Sequence, residues 1–286
     1  MSFVRNMSLH PASPYFCRMN PWRVALILLL FAACKNDPKH KAPEALQKDE
    51  MPAPVKQLYA KLDEHPDSIG LRLRLVDELD SLGAFKQAMV QMDSLIKKDS
   101  LNYGLWYRKA LLQENTHDTS GALKSYRYAI RVYPSPDAML AAANLLAEKK
   151  DSMALQLCKQ VAAFRMGREY TAHCSFITGI YYARTGNKQK AMDAFNKTLI
   201  NDLNYMEAYM EKGFLLYDAT KTKEALQVFQ TAVTVKNTYA DGYYWIAKCY
   251  EVLNNKTEAI NNYQKAVTLD PTLKEAAASL QRLGNK

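Results

Sequence analysis

The sequence predicts an all-α protein, a solenoid of antiparallel helix pairs stacked side by side. Three observations point there. Only 10 Gly and 11 Pro occur in 286 residues, too few for a sandwich or barrel that turns about every 8–12 residues. Apolar residues make up 48%, enough for a packed core, and in the body they recur three and four apart, the period of a helix with one buried face. Lys190-Ala191-Met192, Glu224-Ala225-Leu226 and Glu258-Ala259-Ile260 place their alanines 34 residues apart, twice over. A fixed period of this length marks a repeat array.

The chain opens with an address. Residues 24–33 are apolar throughout, Arg18 and Arg23 precede them, and no acid occurs before Asp37. A positive flank before a short apolar run is the pattern of a secretory signal peptide. Such a run rises only about 15 Å as a helix, half of the hydrocarbon core, so a permanent span is not expected. Phe31-Ala32-Ala33-Cys34 resembles the lipobox of bacterial lipoproteins. The resemblance implies that residues 1–33 are a signal peptide, that Cys34 becomes the acylated first residue, and that the chain is lipid-anchored in the bacterial cell envelope. Lys35, not Asp, follows the cysteine, which implies the outer membrane and leaves its periplasmic or surface face open. Met19-Asn20-Pro21-Trp22-Arg23 makes a more usual signal-peptide start than Met1, so translation is expected to begin at Met19. Removing residues 1–33 removes Arg5, Arg18 and Arg23 and no acid, which lowers the formal charge from +9 to +6. An exported chain of that charge is expected near anionic headgroups, not on nucleic acid. Residues 34–53 hold four Lys, four acids and Pro38, Pro43 and Pro52. They read as a flexible tether with a reach of about 25 Å.

The body follows in order. Residues 54–68 are expected to form an N-terminal capping helix ending in His65-Pro66. Six units come next, at 69–102, 103–134, 135–171, 172–205, 206–239 and 240–273, and residues 274–286 form a C-terminal capping helix with Lys274, Glu275, Gln281 and Arg282 on its polar face. Counted within each unit, small residues recur at positions 8, 20 and 27, where paired helices approach closely, and bulky ones at 4, 11 and 24, where they fill the space between. A Leu at Ala225 or Ala259 would overpack that contact, at a cost of about 1–3 kcal/mol. Gly83 and Gly186 stand where a first helix ends, a place that suits a left-handed residue. One unit cannot bury its own face, so neighbours must stack.

The unit 240–273 carries Tyr243, Ile246, Ala247, Tyr250, Ala259, Tyr263, Ala266 and Pro271. In residue type and spacing it resembles the tetratricopeptide repeat. The same register holds Leu75, Leu79, Gly83, Ala88 and Met92, then Trp106, Ala110, Ala122, Tyr126, Ala129 and Pro134, and later Tyr209, Gly213, Ala225, Phe229 and Ala232. Unit 135–171 is the weakest, with Ala142, Leu145, Ala154 and Val161. The resemblance implies a right-handed superhelix whose concave face is lined by first-helix positions 2, 5, 9, 12 and 13. On this chain that face maps to a partner-binding groove of Tyr107, Leu111, Met139, Phe176, Ile180, Met210, Phe214, Tyr244 and Lys248. Arg184, Glu207, Asp218, Asp241 and Glu251 form its polar rim. The Lys and Asn of the family's carboxylate clamp appear at positions 5 and 9 of no unit, so an acidic C-terminus is a poor fit. An apolar groove suits an amphipathic helix or an extended protein segment.

Chemistry is sparse. No P-loop, G-x-S-x-G, H-E-x-x-H or Gly-rich dinucleotide loop occurs. His40, His65, His117 and His173 lack a ligand partner at helical spacing, and His117-Asp118 reads as a turn within a unit. No catalytic residue, metal or cofactor is therefore expected. Cys158, Cys174 and Cys249 read as small buried hydrophobes, with a Cys158–Cys174 disulfide left open. Most of the 18 Tyr fall at core positions such as those of Tyr182, Tyr209, Tyr243, Tyr250 and Tyr263. The expected function is a membrane-tethered, non-enzymatic adaptor that recruits or assembles envelope proteins. The alternative is a peptidoglycan-associated factor that docks wall enzymes or glycan. Homo-oligomerisation stays open.

Overall fold

The computed structural model describes residues 51–284, and its regular structure there is entirely helical. The signal segment, Met19, Cys34 and most of the tether lie outside the described residues. A lone helix α1 (Ala53–Glu64) leads. Then α2 (Ile69–Ser81) pairs with α3 (Phe85–Lys98), α4 (Tyr103–Asn115) with α5 (Thr119–Val132), and α6 (Pro136–Glu148) with α7 (Met153–Ala163). Next α8 (Arg168–Arg184) pairs with α9 (Lys188–Asn201), α10 (Met206–Asp218) with α11 (Thr222–Val235), and α12 (Ala240–Val252) with α13 (Lys256–Leu269); α14 (Lys274–Gly284) closes the row. Each helix packs on its neighbours in sequence, and α6 also meets α8 and α8 meets α10. The even-numbered helices α2 to α12 are thus the first helices of successive pairs. Helix α8 starts at Arg168, ahead of the unit boundary at 172, after Arg165 and Gly167 turn the chain through positive φ of 52° and 103°.

The turn inside each pair is built the same way six times. Gly83 (φ 70°), His117 (59°), Lys150 (62°), Gly186 (85°), Thr220 (61°) and Asn254 (59°) are all left-handed. Each turn returns two backbone N–H groups to the end of its first helix: Thr220 N donates to Tyr217 O at 3.0 Å and Lys221 N to Leu216 O at 2.9 Å. These bonds satisfy carbonyls that the helix end would otherwise orphan. Side chains then start several second helices. Asp118, Asn187 and Asn255 accept from the backbone N–H of Gly121, Lys190 and Glu258 at 2.9, 3.1 and 3.2 Å, a contact worth about 1 kcal/mol each.

The core follows from large rings set against small residues. Tyr126, Phe195, Phe229 and Tyr263 are fully buried on α5, α9, α11 and α13, and each stabilises the stack by about 1.5–3 kcal/mol. Opposite them on the first helices stand Ala110, Gly179, Gly213 and Ala247. A Cβ on Gly179 would lie 2.4 Å from the Phe195 ring, and one on Gly213 would lie 2.2 Å from Phe229. The ring occupies the space a side chain would need. Ala88, Ala122, Ala154, Ala191, Ala225 and Ala259 are all fully buried where the helices of a pair approach. At the amino end, Val55, Leu58 and Leu62 of α1 bury against Leu75, Val76 and Leu79 of α2. At the other end α14 covers Ala247, Tyr263 and Ala266.

Candidate functional site on the first helices

The core rings are not sealed on the side of the first helices. In four pairs a second aromatic ring lies over the buried one, at position 5 for Tyr107, Phe176 and Tyr244 and at position 9 for Phe214. Centroid distances are 5.7 Å for Tyr107–Tyr126, 5.8 Å for Phe176–Phe195, 6.0 Å for Phe214–Phe229 and 5.7 Å for Tyr244–Tyr263. All four of these outer rings are half-buried. Each is tilted against its core ring, a geometry that aromatic pairs favour, and keeps part of its surface exposed. Neighbouring pairs extend the surface. Phe176 meets Tyr205 at 4.8 Å, Phe214 meets Trp245 at 4.6 Å, and Trp245 meets Tyr217 and Tyr244 at 5.6 Å each. His173 Nδ1 lies 3.1 Å from Tyr205 Oη, and burial lowers the His173 pKa below the usual imidazole value.

The remaining groove residues divide. Leu111 is exposed (41%) and Lys248 half-buried, whereas Met139, Ile180 and Met210 are core residues at 4%, 2% and 6%. Their side chains pack against adjoining helices and present almost no surface. The sequence-derived groove is therefore an interrupted row of aromatic edges, broken at α6, where Met139 is buried and Ala143 stands at position 9.

Of the rim residues, Glu207, Asp218 and Asp241 are exposed. Glu251 is half-buried, accepts hydrogen bonds from Tyr263 Oη and Arg282, and is electrostatically favoured by Lys248. Burial raises its carboxyl pKa, but those contacts outweigh it and hold the group below the usual range. Tyr126 donates to Glu114 in the corresponding place on α4 and α5.

Arg184 is the centre of a cluster that sequence reasoning missed. Its Nε and one terminal nitrogen reach Glu148 of α6 at 2.7 and 2.9 Å, and its terminal nitrogens reach Glu211 of α10 at 3.2 Å each. Three successive first helices are tied through one guanidinium. The Glu211 side chain is 8% exposed and that of Arg184 13%, while Glu148 keeps 37%. Burial, and then the Glu211 carboxylate, push Glu148 up to about 7. Burial also raises Glu211 despite Arg184, and Asp218 adds to the rise. One guanidinium does not fully offset two carboxylates drawn out of water. Arg184 was legible as a polar rim residue. Its partners were not, because they come from the units before and after.

Among the described residues, no group of three His, Cys, Asp or Glu is placed to hold a metal ion, and no helix is long and apolar enough to cross a membrane. Cys158, Cys174 and Cys249 are free and buried, and the Cys174 thiol donates to the Cys158 carbonyl at 3.4 Å.

Comparison with known proteins agrees with this architecture. Residues 240–273 match the tetratricopeptide repeat. A stretch of 112 residues is 28% identical to mouse tetratricopeptide repeat protein 14, covering 37% of this chain and 15% of that one. Another of 97 residues is 31% identical to the DnaJ homolog subfamily C member 7 homolog of Dictyostelium discoideum, covering 32% and 18%. The chain thus spans less than a fifth of either relative. Among solved structures, a tetratricopeptide repeat protein from Parabacteroides merdae superposes with a TM-score of 0.65 at 16% identity, over 80% of this chain and 90% of that one. PilW, a type IV pilus biogenesis factor, superposes with a TM-score of 0.60 at 18% identity, over 73% and 97%. The described residues form an all-α superhelix of the tetratricopeptide-like type, with residues 240–273 matching the repeat itself.

Proposed function

We propose that this protein is a lipid-tethered adaptor of the bacterial cell envelope that holds a segment of a partner protein against the face of its first helices. One observation carries the binding role: the first helices of four pairs each hold a half-buried ring, Tyr107, Phe176, Phe214 or Tyr244, that lies against the buried core ring of the same pair. Their inner faces are fixed by packing on core rings, so a ligand that covers their edges orders little that is not already ordered. Preorganised aromatic edges are the usual anchors of an interface. The tether reading rests on the sequence of residues 24–34, with Cys34 as the acylated residue. Tethering raises the local concentration of the adaptor for envelope partners.

The binding role is tested by in-cell crosslinking with mass spectrometry. Wild type is compared with a Phe176→Ala, Phe214→Ala variant whose helicity is first shown to be intact. A protein captured by wild type and lost by the variant supports the reading; equal capture moves the site elsewhere. The tether is tested separately. Cys34→Ser should abolish incorporation of labelled acyl chains and release the protein from the membrane fraction; unchanged fractionation contradicts the anchor.

A further inference from the structure

Charge is sorted between the two rows of helices. The six first helices carry eight Lys and Arg against twelve Asp and Glu, and the six second helices carry thirteen against four. A chain with a formal charge of +9 therefore places an excess of acid along the row that holds the aromatic edges. The excess is densest beside Arg184, where Glu148 and Glu211 share one guanidinium and Asp218 lies close enough to act on Glu211.

This cluster continues the aromatic stripe. Phe176, Ile180 and Arg184 follow one another four apart on α8, and Met210, Phe214 and Asp218 do so on α10, so each set shares one helix face. A chain lying over Phe176 and Phe214 reaches the carboxylates within about two helical turns. Lys248, the cation in the groove of the next pair, is already close to Glu251.

Resting on the groove reading above, we infer that the groove selects a cationic partner segment. Apolar side chains of that segment cover Phe176 and Phe214, and a following lysine or arginine is received by Glu148 and Asp218, the exposed carboxylates on either side of the buried Arg184–Glu211 pair. The partial burial of the cluster strengthens such a charge-assisted contact over a fully exposed pair. The same carboxylates repel an acidic segment, which gives selectivity by exclusion as well as by attraction.

The test uses the mature chain and three labelled peptides of one apolar pattern, with Lys, Gln or Glu at the polar positions, read by fluorescence anisotropy. The Lys peptide should bind about tenfold tighter than the Gln peptide, and the Glu peptide weakest. Glu148→Gln with Asp218→Asn should abolish that preference. Asp193→Lys with Glu224→Lys, on the second helices, should leave it within about twofold. Equal affinities for all three peptides, with binding still lost in Phe214→Gln, would overturn the charge inference and leave the groove standing. Binding indifferent to Phe214→Gln, or no binding by any of the three peptides, would overturn both.

Discussion

Thr220 and Gly186 hold the same place in neighbouring helix pairs, with φ of 61° and 85°. The left-handed conformation costs an L-residue about 1–2 kcal/mol because Cβ crowds the carbonyl, and glycine escapes that cost. Glycine loses more backbone entropy on folding, by about 0.5–1 kcal/mol. The difference leaves Thr220→Gly stabilising by about 0.5–1 kcal/mol. The Thr220 hydroxyl donates only to the Ala219 carbonyl at 2.7 Å in an exposed turn, so its loss subtracts little. Gly186→Ala should cost a similar amount. Nothing lies within 4 Å of a Cβ built there, so the cost is conformational and not steric. A repeat array opens locally, and one global midpoint averages over its units. The assay is therefore native-state hydrogen exchange at the Thr220 and Lys221 amides, which cap α10. Opening of that turn should slow up to about fivefold in Thr220→Gly, and opening at the Asn187 amide should speed up comparably in Gly186→Ala. Faster exchange in Thr220→Gly, or no change in Gly186→Ala, would refute the argument that the fold imposes left-handed backbone on whatever residue stands there.

Three further outcomes follow from the same packing. Gly213→Ala gains about 1 kcal/mol of helix propensity but drives a methyl into the Phe229 ring; overpacking at about 1–3 kcal/mol wins, and urea denaturation should show a net loss. Arg184→Met leaves Glu148 and Glu211 facing each other without their guanidinium, and should cost about 3 kcal/mol at neutral pH in the same measurement, with much of the loss recovered by adding Glu211→Gln. Glu148 should titrate in a carbon-detected spectrum with a midpoint at about 7. Because the folded value lies above the unfolded one, wild type should lose stability as pH rises from about 4.5 through 7, and the loss should be smaller in Glu148→Gln, where the buried Glu211 still contributes with the same sign. A midpoint below 4.5 would reverse that sign.

The fold was legible because the repeat restates itself. Ala191, Ala225 and Ala259 set a register, and the helices α10 to α13 fall inside it. Gly83 and Gly186 announced their left-handed turns; His117 and Asn254, of types that adopt αL more readily than most, gave a weaker signal, and Lys150 and Thr220 gave none. There the paired helices, not the local residue, dictate the backbone. The candidate site was legible in part. A repeat position tells which face of a first helix a side chain stands on, and Tyr107, Phe176, Phe214 and Tyr244 stand there as half-exposed rings. It does not tell how closely the next first helix approaches, and that distance put Met139, Ile180 and Met210 in the core. The same distance brought Glu148, Arg184 and Glu211 together from three units, which no single-unit pattern encodes.

Photocrosslinking from defined positions in living cells reports whether a partner lies against the first helices. A photoreactive amino acid is placed singly at Leu111 and Tyr244 on the first helices, and at Val90 and Ile200, exposed at 61% and 70% on α3 and α9. One discrete adduct should be shared by the two first-helix positions and be absent from the two second-helix positions. The same adduct from Val90 and Ile200, with none from Leu111 and Tyr244, would contradict that placement.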